Sequence, residues 1–74
     1  MYAIFTEDGL DQVVETKAIA RREATDLGDM GCKVWVYSYP ASFDMEAWAD
    51  ETKGSGKRPS KRHGAKLEIT RGEW

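Results

Sequence analysis

Cysteine and histidine are nearly missing from this chain of 74 residues, which has one of each, Cys32 and His63. One cysteine excludes an internal disulfide framework, and without CxxC or Cys/His clusters there is no structural zinc motif. Small secreted domains usually depend on such cross-links, so the composition points to a reducing, cytoplasmic compartment. Long apolar runs are missing too. The longest stretch without a charge, residues 34–43, falls far below the roughly 20 apolar residues a membrane span needs. The opening Met1-Tyr2-Ala3-Ile4-Phe5-Thr6-Glu7-Asp8 has neither the basic n-region nor the apolar h-region of a signal peptide, and none is expected. No internal repeat is visible.

The same scarcity argues against catalysis. His63 sits in a glycine-rich basic stretch, whereas a general base must be held by packing near the proton it takes. Cys32 opens a predicted strand with an inward phase, where a thiol behaves as a small hydrophobe. Asp8, Asp11 and Glu15 cluster near a turn but lack the Asp-x-Asp-x-Asp-Gly pattern of a calcium loop. The expectation is a protein that is not an enzyme, with no catalytic residues, no metal and no cofactor.

What the chain does have is an ordinary globular mixture, 41% apolar and 32% charged, in a length that makes one domain. A chain this short buries only about 60–65% of its unfolded surface, which favours a flat binding face over an enclosed pocket. Its charge is unevenly spread. Residues 1–52 carry four basic against eleven acidic residues, a net of −7, and residues 53–74 carry seven against two, a net of +5. An acidic body with a basic tail is the strongest compositional signal.

Residues 2–6 and 12–16 are rich in β-branched and aromatic side chains on either side of Asp8-Gly9, a strong hairpin signal. A two-residue loop pairs Ile4 with Val13, and a three-residue loop with a bulge pairs it with Val14. Thr16 is placed to cap a helix over residues 17–30, with Ala20, Ala24 and Leu27 on its buried stripe and Gly31 as its terminator. Residues 32–39 alternate as a strand: Cys32, Val34 and Val36 point one way, toward the helix, and Trp35, Tyr37 and Tyr39 the other. Ser42 or Asp44 is suited to cap a second helix over residues 43–51. Residues 53–64 have the composition of a flexible basic linker. Residues 65–70 alternate as an edge strand with Leu67 and Ile69 inward. The fold class expected is α+β: a small antiparallel sheet in the order β-β-α-β, extended by a C-terminal strand, with one main helix on one face. Residues 1–52 form the globular body and residues 65–74 a strand and tail that join it.

An opening hairpin on Asp8-Gly9, an amphipathic helix ending at Gly31 and the strand Val34-Trp35-Val36 resemble the layout of small accessory proteins of tailed phages over residues 2–39. That resemblance implies a protein that binds and modulates a host enzyme. It covers layout alone and no functional motif, and layout does not determine function.

Two candidate surfaces follow. The row Trp35, Tyr37 and Tyr39, joined by Tyr2 from the hairpin, is the kind of aromatic face used at protein interfaces, unless Phe43, Met45 and Trp48 fold over it as a second small core. The basic residues Lys57, Arg58, Lys61 and Arg62 are suited to phosphates, or to folding back on the acidic body. The first surface makes the chain a protein-binding regulator or inhibitor, acting as a monomer or weak dimer. The second, with the same rings, makes it a nucleic-acid-binding accessory protein. A third reading is an oligomerisation module pairing through an exposed strand edge.

Overall fold

The computed structural model describes residues 1–54, 56, 58–59 and 62–72. The chain folds as β1 (Tyr2–Thr6), β2 (Gly9–Val14), α1 (Lys17–Asp29), β3 (Val34–Ser38), α2 (Met45–Thr52) and β4 (Lys66–Arg71). The four strands form one antiparallel sheet in the order β2-β1-β3-β4. This is the expected α+β fold, and its C-terminal strand takes the edge beside β3.

Local chemistry sets the ends of α1. The Thr16 hydroxyl accepts the Ile19 N–H at 3.2 Å, as the sequence predicts for an N-cap. At the other end Cys32 N–H donates to Leu27 C=O at 3.1 Å and Gly31 N–H to Gly28 C=O at 3.0 Å. With Gly31 at φ 91°, these paired bonds form a Schellman motif, which satisfies carbonyls the helix itself leaves open. The cap of α2 is Asp44, whose side chain accepts from Ala47 N–H at 3.2 Å. The second helix therefore begins at Met45, two residues later than expected, and Phe43 precedes it in the turn.

The hairpin register is neither of the two anticipated. Ile4 pairs with Gln12, Phe5 with Leu10 and Thr6 with Gly9, leaving Asp11 as a bulge on β2. Glu7 and Asp8 make the turn, and Gly9, at φ 119°, opens the strand rather than sitting in the loop. A second bulge lies in β4, where Ile69 pairs with Val36 and Leu67 with Tyr37, so Glu68 has no opposite number. One extra residue inverts the side-chain phase beyond it. Leu67 and Ile69 were expected on one face, yet Leu67 packs with Phe5, Trp35 and Tyr37 while Ile69 packs with Ile4, Val34 and Val36.

Both faces of the sheet are covered. On the first, Ile4, Val34 and Val36 meet Ala20 and Ala24 of α1, as the alternation predicts. The small alanines let helix and sheet approach closely. On the second, Ala3, Phe5, Trp35 and Tyr37 meet Trp48 of α2. The protein is thus three thin layers, helix, sheet and helix, with a separate apolar cluster on each side of the sheet.

Candidate functional site: a basic groove beside the edge strand

The aromatic row does not form an open face. Trp35 is 2% and Tyr37 5% exposed, and Trp48, which lies over them, is fully buried. Trp48 sits 4.9 Å from Tyr37 and 4.8 Å from Phe5 between ring centroids, within the range of favourable aromatic pairing. The expectation that Trp35 and Tyr37 present an open aromatic face is therefore corrected: both are core residues, and Tyr37 reaches the surface only where it lines a groove beside β4. The physical reason is α2, which turns back after Pro40 and brings its own indole onto the sheet. Tyr39, beyond the strand, is half-buried against Phe43 at 5.7 Å, and burial raises its phenol pKa. Tyr2 packs on the opposite cluster, beside Ile4 and Val36. Tyr2 and Tyr39 do come together at one end of the sheet, where they line an open depression with Ser38 and Pro40.

The residues after α2 return across the molecule. Gly54 N–H donates to Asp8 C=O at 3.0 Å and Gly56 N–H to Glu7 C=O at 2.9 Å, tying this segment to the hairpin turn. Pro59 is buried. Between the segment and β4 lies a groove of about 640 Å³. Tyr37, Pro59, Ala65 and Leu67 line it with apolar surface, and Arg58, Arg62 and Lys66 supply three cations. Of the four basic residues singled out in the sequence, the structure brings Arg58 and Arg62 to this groove; Lys57 and Lys61 lie outside the described residues. Lys66 is a site residue that sequence reasoning does not single out; its place beside Leu67 in an edge strand, next to a basic stretch, is the signal by which it could be found.

Arg62 already has an anion: its guanidinium pairs with the carboxylate of Glu51, in the last turn of α2. One part of the basic segment thus folds back on the acidic body. On the other side of β4, Glu68 accepts from Ser38 Oγ at 2.9 Å and from Lys17 Nζ at 3.2 Å. The Ser38 hydrogen bond, then the Lys17 hydrogen bond and charge, hold the Glu68 carboxyl below its ordinary pKa. This cluster joins β3, β4 and the start of α1.

Cys32 and His63 stand at opposite ends of β4. The Cys32 backbone lies against Gly72 after the strand, and His63 is exposed in the turn before it. Among the described residues no group of three or more His, Cys, Asp or Glu side chains is arranged to hold a metal ion. No helix of the described residues is long and apolar enough to cross a membrane. In comparisons with protein-family models, curated proteins and solved structures, none matches this chain.

Proposed function

We propose that this chain is a small, non-enzymatic protein-binding regulator that docks its partner in the groove lined by β4 with Arg58, Pro59, Arg62 and Ala65. The observation that carries this reading is the groove itself, an apolar floor with three cations around it. Apolar surface supplies area-dependent affinity, and the cations fix orientation and exclude wrong partners. The volume is that of a site taking one or a few side chains rather than a whole domain. The resemblance of residues 2–39 to phage accessory proteins makes a host enzyme a fitting partner.

A nucleic-acid-binding accessory protein is the second reading, favoured by the same three cations. Two observations weigh against it. The rings that would stack bases, Trp35 and Tyr37, are buried in the core, and stacking provides much of single-strand affinity. The chain as a whole carries net −2, and its acidic body repels a polyanion.

One titration separates the two. Fluorescence polarisation is measured with a labelled apolar-acidic octapeptide, alternating Leu and Glu, and with labelled oligothymidylate, against the full chain and Lys66→Glu. The peptide should bind, with affinity lost in the Lys66→Glu variant under conditions where that variant is still fully folded. Tighter binding of the oligonucleotide, or peptide binding indifferent to Lys66→Glu, overturns the proposal.

A further inference from the structure

We infer that the group this groove recognises on its partner is a side-chain carboxylate, and that Glu51 is its internal stand-in, displaced when the partner docks. This rests on the groove being the docking surface and deepens that reading by naming the chemistry of the ligand and what competes with it.

The ion pair between Arg62 and Glu51 is the starting point. Arg62 belongs to the cationic rim, so the rim already holds a carboxylate supplied by the protein's own helix. A guanidinium presents a planar fork of donors that matches a carboxylate, and the pairing seen internally defines which anion fits there. The position of Glu51 is telling. An acidic residue in the last turn of a helix faces the negative end of the macrodipole, and the last turn of α2 contains no basic residue to offset it. Glu51 therefore gains little from its own helix, and Arg62 supplies it with a counter-charge.

The pair is also easy to exchange. The Arg62 side chain is 35% and that of Glu51 47% exposed. Pairs this open are worth about 0–1 kcal/mol. A partner carboxylate that takes over Arg62 loses little to the competition and gains the apolar contact with Pro59, Ala65 and Leu67 beside it. A carboxylate fits better than a phosphate because it is the anion this guanidinium already holds, and the net charge of −7 on residues 1–52 repels an incoming anion the more strongly the higher its charge. The resulting ligand is an acidic side chain flanked by an apolar one on an extended segment, and Glu51 raises the threshold for binding it.

The test is a double-mutant cycle on the full chain, read by fluorescence polarisation with the Leu/Glu octapeptide and a matched Leu/Gln octapeptide. Glu51→Gln should tighten binding of the Leu/Glu peptide by about two- to fivefold, the range an exposed ion pair supplies. Arg62→Gln should weaken it by a similar factor or more. In the Arg62→Gln background the second change, Glu51→Gln, should have no further effect. Urea midpoints should fall no further than the loss of this exposed pair entails, so that every variant is fully folded where binding is measured and the change is one of binding. Equal binding of the Leu/Gln peptide overturns carboxylate recognition. Wild-type binding that Lys66→Glu removes but Glu51→Gln leaves unchanged or weakens overturns the displacement while sparing the groove. Absence of binding in every variant overturns the docking surface and this inference with it.

Discussion

The ring of Trp48 lies 4.9 Å from that of Tyr37 with the two planes at 74°, and this edge-on contact seals the second face of the sheet. Without α2 the strand β3 would present Trp35 and Tyr37 to solvent. With it, they become the centre of an aromatic cluster that includes Phe5 and, at its border, Phe43.

Removing that ring should cost more than any other single truncation on this face. Large buried aromatics cut back to alanine lose about 3–5 kcal/mol, against a total of roughly 4–11 kcal/mol for a chain of this length. Trp48→Ala is expected to leave the protein largely unfolded at 37 °C, or with a loosened second face that binds a hydrophobic dye. Trp48→Phe should retain a cooperative urea transition at a lower midpoint. A Trp48→Ala variant as stable as wild type would mean that α2 does not close the sheet.

Gly9 is expected to tolerate no side chain. A methyl group there would sit 3.1 Å from the Cα of Lys53, and the backbone is at φ 119°. Both the strained dihedral and the contact with rigid main chain oppose Gly9→Ala, at about 1–3 kcal/mol for the backbone conformation alone. In a domain of this size each kcal/mol lowers the melting temperature by about 4–8 °C. Gly31→Ala is the useful contrast: φ is 91° but nothing lies within 4 Å of the added atom, so only the dihedral cost should appear.

The elements of this fold were legible because their signals are local. Thr16, the alanine stripe and Gly31 bound α1 through short-range hydrogen bonds and periodicity, and the alternation of residues 34–38 sent the valines to the helix. Two features were not legible, for one reason each. The bulges at Asp11 and Glu68 carry no mark in a single sequence, since a charged residue in a strand reads equally well as outward-facing. They moved Leu10 and Leu67 to the face opposite the one simple alternation assigns. The fate of Trp35 and Tyr37 depended on where a helix ten residues later would pack, which is a tertiary choice. The groove was half legible: Arg58 and Arg62 stood out by charge, whereas burial of Pro59 inside a stretch of linker composition did not.

Acid should loosen the junction of β4 with α1 before it affects the apolar clusters. Hydrogen bonds from Ser38 and Lys17 lower the Glu68 pKa in the folded state. A carboxyl depressed on folding contributes stability that is present above its ordinary value and is lost as pH falls through its lowered one. Side-chain carboxyl shifts followed by NMR should show Glu68 titrating below the ordinary glutamate value. Ser38→Ala and Lys17→Met should each return it toward the ordinary value, since the Ser38 bond is the largest single cause and Lys17 acts through both a hydrogen bond and its charge. Glu68→Gln should remove this part of the acid dependence of the urea midpoint.

Trp35 supplies the sharpest separation of core from contact surface. Its indole is 2% exposed and lines neither the groove nor the depression beside Tyr2 and Tyr39. Trp35→Phe leaves a smaller ring in the same cluster and should lower the urea midpoint, by an amount set by the cavity that remains. Binding of the Leu/Glu octapeptide, measured where the variant is still fully folded, should be unchanged. Lys66→Glu should do the reverse, abolishing binding where the variant is still fully folded, with only the small loss in midpoint that its charge beside Glu68 entails. If Trp35→Phe weakened binding while folding stayed intact, the docking surface would have to extend along β3 beyond Tyr37 to Trp35, and α2 would have to move aside to admit a partner.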